Sequence, residues 1–227
     1  MARRSKRFAS ASKLVDRRHQ YDLADAIALL KEVATARFDE TIELAVRLGV
    51  DPKKSDQMVR GSVSLPNGIG KSLRVIAFAE GEQAAAAEEA GAIEVGGEDL
   101  VKKVQDGWLD FDVAIAAPAM MRFVGRLGRV LGPQGKMPSP KSGTVTENVG
   151  TAVREFAAGK IEYRTDAGAN VHVAVGRKSF DPARLGENIQ FFVDHVRASR
   201  PPTAKGAFIL GVTVSSTMGP GIPLAIR

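Results

Sequence analysis

Val59-Arg60-Gly61-Ser62-Val63-Ser64-Leu65-Pro66-Asn67-Gly68 leads into Leu73-Arg74-Val75-Ile76-Ala77-Phe78-Ala79, and the two halves follow different patterns. In the first, Val59, Gly61, Val63 and Leu65 alternate with Arg60, Ser62 and Ser64, as in a strand with one face in a core and one in solvent. The second is almost continuously apolar, as in a strand covered on both faces. Pro66-Asn67-Gly68 between them is turn chemistry. Such a change of style across a turn marks passage from one kind of sheet to another.

The covered style continues downstream to Gly159. An alanine-rich helix, Glu82 to Ala90, stops at Gly91. A short strand, Ala92 to Val95, precedes a helix near Glu98 to Gln105, and Phe111 to Ala116 is another buried strand. A helix near Ala119 to Val130, the loop Leu131 to Gly143 and a helix near Glu147 to Ala158 complete the segment. Buried strands alternating with helices at this spacing indicate a Rossmann-like, three-layer α/β unit with a mainly parallel sheet.

The alternating style returns after Gly159. Lys160 to Thr165 and Asn170 to Val175 are expected to form a hairpin around Asp166-Ala167-Gly168-Ala169. Asp181-Pro182 opens a helix with proline in its first turn. Upstream of Val59 the same style appears. Asp22 can cap a helix with Leu23, Ala26, Ile27, Leu30, Val33 and Ala34 on one face. Thr41 to Val50 is a half-buried strand. Residues 1–20 carry Arg3, Arg4, Lys6, Arg7, Lys13, Arg17 and Arg18 against Asp16 alone, and read as a flexible basic arm.

The expected fold is therefore α/β and α+β in two domains. Residues 1–66 and 160–227 form a two-layer α+β domain with a mainly antiparallel sheet, and the α/β domain of residues 67–159 is inserted into it. Two short crossings, Leu65-Pro66-Asn67-Gly68 and Gly159-Lys160, favour a hinge about one axis.

Charge follows the same division. Residues 67–159 hold 10 Lys+Arg and 12 Asp+Glu, whereas the outer segments hold 22 and 14. The excess of a +6 chain thus sits in one domain, which favours a polyanionic partner there. The absence of cysteine excludes disulfides, thiolate zinc sites and thiol nucleophiles. His19, His172 and His195 lack the spacing of shared metal ligands, so neither metal nor cofactor is expected. No apolar run suggests a signal peptide or membrane span, so a cytoplasmic, non-membrane protein is expected.

Gly125-Arg126-Leu127-Gly128-Arg129-Val130-Leu131-Gly132-Pro133-Gln134-Gly135-Lys136 invites a phosphate-loop reading, but Val130 stands where glycine is needed and Met137 where Ser or Thr is needed. After Ala79 no dinucleotide fingerprint follows. A nucleotide-dependent enzyme on the α/β insert is thus the alternative, and no enzyme is the expectation. Arg122, Arg126, Arg129, Lys136 and Lys141 can form a basic patch or a solvated face.

Near the C-terminus the strand Phe208 to Ser215 runs into Ser216-Thr217-Met218 and breaks at Gly219-Pro220-Gly221, whose glycines permit positive φ. Three consecutive hydroxyls are either the fraying end of a strand or a surface that hydrogen-bonds to sugar and phosphate. With aromatics at 6% and no RRM-type aromatic motif, shape recognition of a folded RNA fits better than base stacking. Phe38 either meets ribose or base, or staples the preceding helix to the sheet.

Arg37-Phe38-Asp39-Glu40-Thr41, Leu48-Gly49-Val50-Asp51-Pro52, Val59-Arg60-Gly61, Gly107-Trp108-Leu109-Asp110-Phe111-Asp112, Gly125 to Pro133, Gly159-Lys160-Ile161-Glu162-Tyr163-Arg164 and Ser215 to Gly221 together resemble the bacterial ribosomal L-one family, whose members form the mobile large-subunit stalk. The resemblance runs from the basic N-terminus to the last strand. It implies a ribosome-bound protein, monomeric off the ribosome. Its two-termini domain would bind large-subunit rRNA and a similar fold in its own operon mRNA. The stalk would contact E-site tRNA transiently and assist release of deacylated tRNA. By this resemblance the RNA contacts fall on Arg37, Phe38, Thr41, Thr217, Met218 and Gly219, with Ser215, Lys160 and Arg164 beside them. Leu65, Pro66, Asn67, Gly68 and Gly159 would lie at the hinges. Arg37 replaces a common lysine, Gln134, Lys136 and Ser139 depart from the family pattern, and Leu210-Gly211 replaces a more polar pair.

Overall fold

The computed structural model describes residues 5–225. Arg3 and Arg4 of the basic N-terminal run, and the last two residues, Ile226 and Arg227, lie outside the described residues. The chain divides into two units, Met1–Gly70 with Ile161–Arg227, and Lys71–Lys160. The first contributes α1 (Lys6–Leu14), α2 (Leu23–Val33), β1 (Thr41–Leu48) and β2 (Arg60–Ser64). The second follows with β3 (Val75–Phe78), α3 (Glu82–Glu89), β4 (Glu94–Gly96), α4 (Glu98–Gln105), β5 (Val113–Ala116), α5 (Met121–Val124), α6 (Gly128–Leu131) and α7 (Val149–Ala157). The chain then runs through β6 (Lys160–Arg164), β7 (Asn170–Arg177), α8 (Pro182–Ala198), β8 (Ile209–Ser216) and β9 (Ile222–Leu224).

In the first unit β1 is central to a four-stranded sheet of order β7-β1-β8-β9, antiparallel at every step. Its alternation decides the layering. Ile42, Leu44, Val46 and Leu48 are buried, while Glu43 and Arg47 are exposed. Val171, Val173 and Val175 of β7 and Val212 and Val214 of β8 join the same core, with Ile27, Leu30 and Val33 of α2 and Leu185, Ile189, Phe192 and Val196 of α8. Asp181 caps α8 by accepting from Ala183 N–H at 3.0 Å.

The expected hairpin of residues 160–175 is replaced by two separate pairings. β6 pairs with β2, and β7 with β1; between β6 and β7 only the Thr165–Val171 bridge forms. The local turn is real, since Asp166 Oδ1 accepts from Gly168 and Asn170 N–H at 2.8 and 2.7 Å. It directs the chain from one sheet to another instead of doubling it back. Val59 meets Thr165, and Gly61 lies against Tyr163, so β2 and β6 run antiparallel. Tyr163 Oη also meets His195 Nε2 at 3.0 Å, tying this ribbon to α8.

Within the described part of the basic arm, Lys6–Leu14 is a helix and residues 15–20 are turn and coil. Ser5 Oγ accepts from Phe8 N–H at 3.2 Å, and Ala11 on the helix and Val15 just past its end enter the core. The charge run reads as a flexible arm, but Ala11 and Val15 pack the segment onto the core.

The second unit has a parallel sheet of order β4-β3-β5. All four residues of β3 are buried. α3 packs against α7, whereas α4 packs against α5. A Cβ on Gly150 would meet the Ala86 carbonyl oxygen at 2.8 Å, so glycine lets α7 approach α3. The single helix expected near Ala119–Val130 is instead α5 and α6 interrupted by a 3-10 turn at Gly125–Leu127. Lys136 does not join a basic surface patch: its Nζ donates to Leu109 O and Phe111 O at 3.1 and 2.6 Å.

The units divide after Gly70 and after Lys160, slightly beyond the boundaries 66/67 and 159/160 read from the sequence. The reason for the first shift is Asn188, buried on α8. Its Oδ1 accepts from Asn67 N–H at 3.1 Å, and its Nδ2 donates to Gly68 O and Val175 O at 2.9 and 2.8 Å. Leu65 itself belongs to the first core.

Candidate nucleic-acid interface

At one end of the central strands, Arg37–Thr41 meets Ser216–Gly219. The register Ile42–Ser216 and Glu43–Ser215 places the two segments side by side. Beyond it Thr217 N–H donates to Thr41 O at 3.0 Å, and Thr41 N–H donates to Thr217 Oγ1 at 3.0 Å. Two residues 176 apart in sequence therefore extend the ladder by side chain as well as backbone.

Glu40 fixes this junction from beneath. It is fully buried, and its carboxylate takes three donors. Ala36 N–H reaches Oε1 at 2.9 Å; the Ser216 hydroxyl and Met218 N–H reach Oε2 at 2.8 and 2.9 Å. Burial pushes the Glu40 carboxyl upward, but the donors from Ala36, Met218 and Ser216, helped by the charge of Arg7, hold it below its ordinary value. One anion thus locks together the chain before Phe38 and the turn that carries Met218. The hydroxyl run divides accordingly: Ser216 points inward to Glu40, Ser215 is half-buried, and Thr217 is exposed.

The other side of the Arg37–Thr41 loop is held by the connection from β7 to α8. Ser179 N–H and its hydroxyl donate to the Asp39 carboxylate at 3.0 and 2.8 Å, and Arg177 donates to Asp39 O at 3.1 Å. Lys178 Nζ donates to Ala34 O, and Lys31 Nζ to Phe180 O. The result is a fixed edge that leaves two large apolar side chains in solvent: Phe38 is 54% exposed and Met218 is 49% exposed. Phe38 therefore does not staple α2 to the sheet. Arg37 is exposed beside it.

Gly219 is required for a different reason than positive φ. Its φ is not positive, nor is that of Gly221; a Cβ on Gly219 would meet Ser216 Oγ at 2.5 Å, disturbing the hydroxyl that serves Glu40. The Gly219-Pro220-Gly221 break is a turn into β9, whose Ile222 and Leu224 are buried. The strand end does not fray.

The structure brings Arg37, Phe38, Thr41, Ser215, Thr217, Met218 and Gly219 to one edge. Lys160 is engaged elsewhere, with Glu155 Oε2 at 2.7 Å and the Phe156 ring 5.4 Å from Nζ. Arg164 is exposed at the end of β6. Sequence reasoning passed over Glu40, Asp39, Ser179 and Arg177. The available signal was Glu40 itself, an acid immediately before an alternating strand, opposite hydroxyls that need an acceptor.

A family model described as the ribosomal protein L1p/L10e family matches residues 30–220. The chain belongs to this family. Membership makes it a ribosomal protein of the large subunit, associated with the ribosome and its rRNA. The family is one of structural ribosomal proteins and gives no support to a nucleotide-dependent enzyme. The match spans both the Arg37–Thr41 segment and the Thr217–Gly219 turn. No helix among the described residues is long and apolar enough to cross a membrane.

Proposed function

We propose that the first unit binds a folded segment of large-subunit rRNA through Arg37, Phe38, Thr41, Ser215, Thr217, Met218 and Gly219, with Arg164 as a flanking cation. The observation that carries this reading is the Glu40 carboxylate, which fixes the Phe38 and Met218 segments against each other while both side chains stay exposed. A rigid edge of this kind suits recognition of RNA shape, because little ordering remains to be done on binding. The protein acts as a stalk component that contacts E-site tRNA transiently and assists its release, and it represses its own mRNA through a similar fold. It is a cytoplasmic monomer when off the ribosome. The second unit moves about two crossings: one follows the Leu65–Gly68 turn, which Asn188 and the first core hold, and lies near Gly70, and the other is at Gly159–Lys160.

Met218→Asp places an anion at the contact and should weaken binding to an rRNA stalk fragment at least about a hundredfold, a loss of roughly 3 kcal/mol. Filter binding at ~100 mM salt measures it, and unchanged affinity would remove Met218 from the interface. Footprinting on intact large subunits locates the RNA directly. If the protein protected only RNA remote from the first unit, the whole assignment would fall.

A further inference from the structure

The opposite end of β1 carries a second feature. Gly49 N–H donates to Phe208 O at 2.7 Å, and a Cβ on Gly49 would overlap the Ala207 carbonyl, so the loops following β1 and α8 touch there. Between them lies an open groove of about 590 Å³, lined by Asp51, Lys54, Gln57, Thr203 and Lys205 among others. Its walls are internally built. Asp51 accepts from Lys53 N–H through its carboxylate at 3.1 Å and from Lys54 N–H through its carbonyl at 3.1 Å, while Gln57 Oε1 accepts from Asp51 N–H at 2.9 Å. On the other side Arg200 donates to Ala204 O and Gly206 O at 2.9 and 3.0 Å.

The lysines are not used in this construction. Among the described residues none of Lys53, Lys54 and Lys205 forms an ion pair with a carboxylate. The two loops carry Lys53, Lys54, Arg200 and Lys205 against Asp51 and Asp56, a cationic excess. The groove is too open to enclose a small molecule, but it can seat one group of a larger anion. Lys54, Lys205 and the Thr203 hydroxyl are donors suited to phosphate oxygens.

We propose that this groove holds a backbone phosphodiester of the bound RNA, as a second contact on the first unit. The proposal rests on the RNA-binding reading above and adds a length to it. β1 has 8 residues, so the groove and the Phe38–Met218 edge are separated by roughly 25 Å along the strand. The RNA must be a folded segment that spans both.

The test measures affinity of the full chain for an rRNA stalk fragment across a salt series. Lys54→Gln with Lys205→Gln removes both cations, and Lys102→Gln with Lys141→Gln removes two from the second unit as control. Substitution in the groove should lower the slope of log affinity against log salt by about 1 per lysine, about 2 in all, and should leave the thermal midpoint unchanged. An unchanged slope, or an equal change in the control, overturns the groove assignment. If Met218→Asp still abolishes binding in that case, the RNA-binding reading stands without the groove. Failure of the unsubstituted protein to bind the fragment overturns both.

Discussion

Glu40 shows how one side chain sets the candidate site. It offers no chemistry to a ligand, since it is buried and its oxygens are committed to Ala36, Ser216 and Met218. Its effect is to make two distant segments a single surface. Glu40→Gln keeps the shape but turns an NH₂ toward groups that are already donors. We expect a loss of about 1–3 kcal/mol in urea unfolding at pH 7, with weaker RNA binding. The pH dependence has a definite sign. The folded carboxyl lies below its ordinary value, so its contribution is present above the ordinary carboxylate range and is lost as pH falls through the folded value. The difference between the parent and Glu40→Gln should therefore shrink below about pH 4.5; a difference that widened on acidification would contradict the assigned role. This residue was visible in the sequence as an acid before a strand. Its burial was not, because the donors that make burial tolerable come from positions 36, 216 and 218.

At the scale of elements, periodicity carried β1, α2, α8 and the buried strands of the second unit, since each pattern depends on which face is covered. Pairing was less legible. The Asp166–Asn170 turn is a local signal and was read correctly as a turn, yet the partners of β6 and β7 are β2 and β1, chosen by contacts far away in sequence. The α5–α6 segment fails for another reason: its apolar spacing suits one helix, but glycines occupy two of its turns. Gly125 and Gly128 have ordinary right-handed helical angles, and a Cβ at either would meet nothing within 4 Å. Gly125→Ala and Gly128→Ala should each stabilise the protein by about 0.4–1 kcal/mol by reducing the freedom of the unfolded chain. Thermal unfolding of the single and double variants checks this; destabilisation would mean that the glycines are needed for the 3-10 interruption.

For the whole molecule, the division into two cores is the main fact. Val75–Phe78, Leu100, Val104, Phe111, Leu127, Val153 and Phe156 form a core that, among the described residues, has no member from the outer segments. The fragment Lys71–Lys160 should therefore fold alone, with cooperative thermal unfolding and near-native circular dichroism; a fragment that stayed unfolded would show that its core depends on the rest. The change of strand style after Pro66-Asn67-Gly68 made this division readable, whereas the boundary at Gly70 was set by Asn188 on a helix 120 residues downstream. The antiparallel β2–β6 ribbon carries one more consequence. Its two strands run to Ser64 and from Lys160, so the chain leaves and re-enters the first unit at neighbouring points. That is the geometry of a β-hairpin whose turn has been opened. The second unit occupies the place of a few turn residues. Replacing it with a short Asn-Gly loop would convert a discontinuous domain into an uninterrupted one, with the Phe38–Met218 edge intact.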